Sequence, residues 1–182
     1  EPFHAVDDSR GAFIHLDDCP VAEDAVLASP GEGLALLQRE IDRAIVAMGA
    51  EALGATQSLL DATVEYCKTR EQFGQQIGKF QALQHRLADL DLQVEELRSL
   101  RYNAASQLDE GRADAPAACA ALKVKLAEAG RFVSQQAVQL HGGIGMTDEL
   151  IVGHHYKRLM LLSRLFGDED YYLERYRELR AA

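Results

Sequence analysis

With 182 residues, 47% of them hydrophobic, the chain can fill one full domain and part of another, and it is apolar enough to bury a core. Its formal net charge of −10 argues against a nucleic-acid binder, which needs clustered Lys and Arg to displace counterions, but one local cationic patch would still suit a phosphorylated ligand. No apolar run approaches the roughly 18–20 residues of a membrane span, and Cys19, Cys67 and Cys119 are too scattered for a zinc site or a disulfide framework, so three reduced cytosolic thiols are expected.

The sequence begins at Glu1 with neither a methionine nor an apolar leader, so nothing in it suggests export, and it reads as a fragment, a processed product or a trimmed chain. Residues 1–30 differ from the rest. Ala12-Phe-Ile-His-Leu16 is β-prone, and the Asp, Pro and Gly residues of Asp17-Asp18-Cys19-Pro20 and Ser29-Pro30-Gly31-Glu-Gly33 read as turns around one or two strands. Two strands are not stable alone in water, so they must lean on the following domain or belong to a sheet outside this sequence.

From Gly33 onward the pattern is helical. Leu34, Leu37, Ile41, Ile45, Met48, Ala52, Leu59 and Ala62 keep three-four spacing through Tyr66. A second amphipathic helix starts at Gln81 and carries Leu83, Leu87, Leu90, Val94, Leu97, Ala104 and Leu108, with Gly111 closing it. Asp114 and Pro116 restart the chain as cap and first-turn residue. The third helix runs to about Leu140 and stops at Gly142-Gly143, a fourth covers about Glu149 to Leu165, and a short charged one begins at Asp168. Long helices with short links predict an all-α fold, a four-helix up-and-down bundle over 31–182 with a short N-terminal β remnant over 1–30.

Two segments carry chemistry. Arg70-Glu-Gln-Phe-Gly74 can be read as a plain helix stop, with Gly74 as cap, Lys68 and Arg70 facing the helix C-terminus and Phe73 plugging the core. Gln139-Leu-His-Gly142-Gly143-Ile-Gly145 can likewise be a glycine-rich stop, although three glycines in four positions exceed what a cap needs. It is not a Gly-x-Gly-x-x-Gly fingerprint, because no strand precedes it. His85 and His154-His155 lack a second ligand at helical spacing, so no metal site is expected. Glu95-Glu96 and Asp168-Glu-Asp170 read as solvated acid, with Asp168 also placed to cap the last helix.

The first segment continues as Ile77-Gly-Lys-Phe-Gln81-Ala-Leu-Gln84-His85-Arg-Leu-Ala-Asp89. Together with the Gln-x-x-Gly-Gly element, in this order and spacing, it resembles the acyl-CoA dehydrogenase family of flavoenzymes. The resemblance covers nearly all of this chain but only the last part of a full-length member. It implies FAD as cofactor, with Arg70, Gln72, Phe73, Gln81, Gln139, Gly142 and Gly143 gripping its adenine dinucleotide half, carried by a neighbouring subunit. Residues 1–30 would be the tail of the family's middle β-domain and a linker. Residues 31–182 would form the C-terminal bundle, bearing the FAD contacts and the oligomer interface.

The family dehydrogenates an acyl-CoA thioester at the α,β-position, which requires a carboxylate base near the flavin. Most members carry that Glu in a Tyr-Glu-Gly-Thr-like loop between the last two helices. Here the loop reads Leu165-Phe166-Gly167-Asp168, so Gly167 holds the Glu position. The minority position, early in the first long helix, holds Ala44, with Asp42 half a turn earlier. Three explanations compete: Asp168 serves as base after a small loop shift; Asp42 reaches the substrate; or the chain is a subunit of a hetero-oligomer whose base lies on another polypeptide. Some bacterial members acting on steroids resemble this third arrangement, with a last loop like Leu-Phe-Gly-Asp. Acyl-CoA substrate, electron-transfer flavoprotein as acceptor, a dimer or tetramer, and a cytoplasmic location without membrane or nucleic-acid contact are what the resemblance implies. The isolated chain is expected to be inactive. The alternative is a helical scaffold or interaction subunit without catalysis of its own.

Overall fold

The computed structural model describes residues 1–181; Ala182, the last residue of the expected bundle, lies outside the described residues. Two three-residue strands, β1 (Pro2–His4) and β2 (Arg10–Ala12), pair antiparallel, with Phe3 opposite Gly11. Then come the helices α1 (Gly33–Thr69), α2 (Gln81–Asp109), α3 (Ala115–His141), α4 (Ile151–Arg164) and α5 (Glu169–Ala181). A two-residue-per-strand hairpin, β3 (Glu71–Gln72) and β4 (Gln75–Gln76), links α1 to α2. Among the described residues no helix is long and apolar enough to cross a membrane.

The expected bundle is present, and its fourth position is filled by two helices in succession. The short links make neighbouring helices antiparallel, so α1 and α3 run together while α2 and the α4–α5 pair run back. Helix α3 touches all four others. Its sequence explains why: Ala115, Ala117, Ala118, Ala120, Ala127, Ala129, Gly130 and Ala137 are small, helix-favouring or narrow, and let neighbours close in. Leu159 of α4 packs at 3.5 Å from where a Cβ on Gly130 would stand, and a Cβ on Gly49 of α1 would meet Leu122 of α3 at 2.9 Å. Around this axis Leu59, Leu90, Leu97, Leu122, Leu126, Leu159 and Leu162 are wholly buried, each contributing about 2 kcal/mol.

Several expectations need correction. The β-prone run Ala12–Leu16 contributes only Ala12 to a strand; the pairing lies earlier, and the last ladder bond is Phe13 N–H to the Glu1 carbonyl. Residues 13–16 have no further partner strand, and Phe13, Ile14 and Leu16 stay exposed. Helix α1 ends at Thr69 and Gly74 is not its cap, because the chain turns into the β3–β4 hairpin instead. Asp114 has helical backbone angles and no side-chain capping bond, so only Pro116 in the first turn marks the start of α3 as expected. Leu34 and Leu37 keep the apolar spacing but lie exposed, since the first turns of α1 overhang the other helices. Glu96 is not idle surface acid: it takes the ammonium of Lys125, which is buried on α3 and also donates to Gln93 at 2.8 Å.

The β1–β2 hairpin leans on the helices through one ion-pair cluster. Arg158 of α4 donates to Glu51 of α1 at 2.5 Å and to Asp7 in the β1–β2 turn at 2.8 Å. Burial alone would raise the Asp7 carboxyl, but hydrogen bonds from Ser9 and Arg158 outweigh it and hold it down at about 2. A carboxylate whose pKa is depressed by folding contributes stability above its unfolded value and loses it as pH falls through the folded one. Docking of residues 2–12 is therefore expected to weaken between about pH 4 and about pH 2, while the helices persist, and D7N should produce the same loosening at neutral pH. Hydrogen exchange of the β1–β2 amides checks this; protection unchanged in D7N would remove the ion pair as the anchor.

Candidate functional site

Both sequence segments arrive at one end of the bundle, because α1 and α3 run in the same direction and finish together. The junction is Tyr66, one turn before Arg70, and His141, the last residue of α3. Their rings stack at 4.5 Å between centroids, the Tyr66 hydroxyl donates to the His141 carbonyl at 3.3 Å, and the buried imidazole is held by Nδ1 against the Ala137 carbonyl at 2.8 Å. Neither residue stood out in the sequence. An aromatic one turn before the Arg70 segment and a histidine inside the glycine segment were the signal available.

Beyond this junction the chain is built for exposure. Arg70 has left the helix (φ −70°, ψ 125°); its N–H bonds the Tyr66 carbonyl at 2.8 Å and its carbonyl accepts Ile77 N–H at 2.9 Å. The backbone of Arg70 is thus fixed at both ends, while its guanidinium has no ion-pair partner among the described residues. The hairpin turn is Phe73-Gly74, with both residues at positive φ (55° and 77°). Such a two-residue turn favours Asn-Gly; phenylalanine there is strained. Phe73 is 90% exposed, touching Phe80 edge-on at 6.2 Å, so it does not plug the core. Gln72 is exposed, its amide bonding the Glu71 carbonyl at 2.8 Å. Gln81 opens α2, whose N-terminus has no side-chain cap, leaving unpaired N–H groups and the positive end of the helix dipole at this face.

On the second segment, Gln139 is exposed in the last turn of α3. Gly142 adopts φ 66° and ψ −143°, a conformation that only glycine takes easily. Gly143 has no such angle, and a Cβ there would meet nothing within 4 Å. Nothing inside this chain requires glycine at 143, so the bare face is open to an outside group. An unpaired guanidinium, an uncapped helix N-terminus and exposed glycine backbone together suit a large anionic ligand such as the diphosphate half of a dinucleotide.

The two candidate carboxylates lie elsewhere. Asp42 is buried in the bundle, where Arg175 of α5 approaches it at 3.1 Å, and burial raises its carboxyl despite that arginine. It is committed to holding α5 on α1. Asp168, half-buried, accepts the Tyr171 N–H at 3.1 Å as N-cap of α5 and pairs with Arg164 at 3.3 Å. Between α4 and α5, Phe166 and Gly167 both have positive φ (60° and 118°). A side chain on Gly167 would come within 2.8 Å of Tyr171 Cδ1 and 3.0 Å of Tyr172 Cε2. Lys123 of α3, which sequence reading passed over, donates to the Ser163 and Gly167 carbonyls at 2.8 Å each. A lysine between Leu122 and Val124, on the apolar side of the helix, was the missed signal. Among the described residues no three His, Cys, Asp or Glu side chains gather as a metal site.

Residues 31–178 match the family model "Acyl-CoA dehydrogenase, C-terminal domain". The chain is 35% identical over 139 residues to "Probable acyl-CoA dehydrogenase FadE25" of Mycobacterium tuberculosis, which covers 76% of this chain and 36% of that protein. It thus spans about a third of the length of the curated relatives it matches. Among solved structures, the Tcur3481-Tcur3483 steroid ACAD superposes with a TM-score of 0.87 at 28% identity, over 100% of this chain and 48% of that one. PigA with FAD and proline superposes with a TM-score of 0.78 at 32% identity, over 82% of this chain and 39% of that one.

Introducing at position 167 the glutamate that the resemblance implies there is expected to be costly. G167E combines φ 118° with contacts to Tyr171 and Tyr172, so it should destabilise the chain by about 1–3 kcal/mol and lower Tm by several degrees. A thermal melt matching the wild type would show that the loop re-forms around the new carboxylate.

Proposed function

The chain belongs to the acyl-CoA dehydrogenase family through its C-terminal helical domain, and from that premise we propose that it serves an FAD-dependent dehydrogenation of an acyl-CoA thioester to the 2-enoyl-CoA. In this reading FAD supplies the hydride acceptor for the β-carbon. The chain's part is to bind the adenine dinucleotide half of an FAD carried mainly by a neighbouring subunit. Arg70 places its forked guanidinium on the pyrophosphate, Gln72, Gln81 and Gln139 hydrogen-bond the polar edges, Gly142 and Gly143 let that ligand approach the backbone, and Phe73 packs on the cofactor or the adjoining subunit. The observation that carries the proposal is the pairing of the two segments at one end of the bundle by Tyr66 and His141, with Arg70 anchored by its backbone and its charge unspent.

For the proton-abstracting base, we favour another polypeptide of a hetero-oligomer. Gly167 stands where a side chain has no room, Asp42 is bound by Arg175, and the Asp168 carboxylate already caps α5. Asp168 is the second choice, since it remains half-exposed and one residue from the family position. An electron-transfer flavoprotein would take the electrons, and the isolated chain would be inactive because most of the flavin site lies outside it. A helical scaffold without catalysis is disfavoured, because a scaffold gives no reason to hold an unpaired arginine, bare glycines and a strained aromatic at one end.

Absorbance and fluorescence titration of FAD tests this with the chain joined to its upstream half or to its partner subunit. Loss of the charge-assisted bonds in R70A should weaken FAD binding about 10- to 100-fold, with R70K intermediate. Equal FAD affinity in R70A would remove Arg70 from the site, and no FAD in any pairing would return the chain to the scaffold reading. In the same assembly D168N should leave turnover and FAD content unchanged; loss of turnover at full FAD content would make Asp168 the base.

A further inference from the structure

Lys123 has no exposed surface, and burying an ammonium is costly unless its N–H groups find acceptors. Two reach carbonyls at 2.8 Å, one on Ser163 in the last turn of α4 and one on Gly167 in the loop beyond it. The charge also lies 5.6 Å from the centroid of the Tyr172 ring. Tyr172, itself buried, closes on the same loop from α5 by donating its hydroxyl to the Phe166 carbonyl at 3.0 Å. Three carbonyls of one short segment, Ser163, Phe166 and Gly167, are therefore bound by side chains from two different helices.

That degree of restraint exceeds what joining α4 to α5 demands. Helix-end carbonyls facing solvent are satisfied by water at little cost, and an apolar residue in place of Lys123 would avoid desolvating a charge. The restraint instead holds Phe166 in the left-handed region, which a bulky side chain tolerates only where its surroundings over-determine it. The loop so held presents Leu165 and Phe166 outward, both substantially exposed, while its backbone is gripped from beneath.

We propose that Lys123 is a positioning residue of the dehydrogenase, its clamp on Ser163 and Gly167 setting where the Leu165–Asp168 loop stands against the acyl thioester; this rests on the reading of the chain as a dehydrogenase domain. Tyr172 is the second jaw of the clamp. Burial pushes the Lys123 ammonium down to about 8, with Asp168 opposing and Arg164 reinforcing that shift. A neutral amine still carries two N–H groups for the same two carbonyls, so the clamp survives loss of the proton.

The test uses the assembled holoenzyme with K123M, K123Q and Y172F, and straight-chain acyl-CoA thioesters from butyryl-CoA upward as probes. K123M should raise amide exchange in 165–168 about tenfold or more. It should also cut kcat per bound FAD about 10- to 100-fold, with FAD content kept and KM little changed. K123Q, which retains two N–H donors, should fall between K123M and the wild type. Wild-type loop protection and wild-type kcat per FAD in K123M would overturn the proposal, whereas a drop in Tm alone would reduce Lys123 to a packing role and overturn it equally. If K123M does not fold, Y172F decides: a smaller fall in kcat per FAD supports the clamp and an unchanged value overturns it. If the wild type itself turns over no acyl-CoA, the dehydrogenase reading fails separately, and unchanged loop exchange in K123Q or Y172F would then dispose of the clamp as well.

Discussion

Helix α3 packs against all four other helices and keeps only a narrow exposed strip at Glu128, Arg131, Gln135 and Gln139, and that enclosure constrains the rest of the molecule. A helix packed by four others has little solvent face on which to place polar groups. Each polar side chain that it carries off that strip must find its partner inside the protein or weaken the bundle. Three of them do so at three different neighbours: Lys125 on Glu96 and Gln93 of α2, Lys123 on the turn between α4 and α5, and His141 on Tyr66 of α1. The interactions that fix the functional ends of the domain are thus the ones the buried helix requires for its own satisfaction.

The small residues of α3 are the other half of this constraint. Gly130 of α3 allows Leu159 of α4 to pack at near-backbone distance, and Gly49 of α1 does the same for Leu122 of α3, which brings the neighbouring helices close enough for the polar partners to meet. Larger side chains on α3 would separate α1 from α3 and pull Tyr66 off His141. The distance between the Arg70 segment and the glycine segment would then no longer be set by the core. Core packing and the geometry of the candidate site are coupled through one helix.

How far the sequence could be read follows from which interactions are local. Three-four spacing over long stretches is a local signal, and it located α1, α2 and α3, the Gly111 stop and the Asp168 cap. The two motif segments were legible because residue order and spacing lie within the chain. The hairpin at 71–76 was not, because Phe73 is an unlikely residue for a two-residue turn and its φ of 55° is imposed by context. Nor were Lys123, Tyr66 and His141, which pair with residues far away in sequence: 75 positions separate Tyr66 from His141, and 44 separate Lys123 from Gly167. A lysine on a helix reads as surface until its position is known to face the core.

The chain sets an aromatic on a left-handed backbone at two points and uses one device at both. Phe73-Gly74 and Phe166-Gly167 are each an aromatic followed by glycine, with both residues at positive φ and the ring turned outward. At the first, the strands β3 and β4 and the bonds through Arg70 hold the turn; at the second, Lys123 and Tyr172 do so. Glycine alone would make either turn more cheaply, and an aromatic in an ordinary loop would fold its ring against the core to escape water. Keeping a ring exposed on a strained backbone makes sense where something outside the chain covers it. The two rigid, outward-facing turns are what the proposed reading of this domain as one side of a shared site requires.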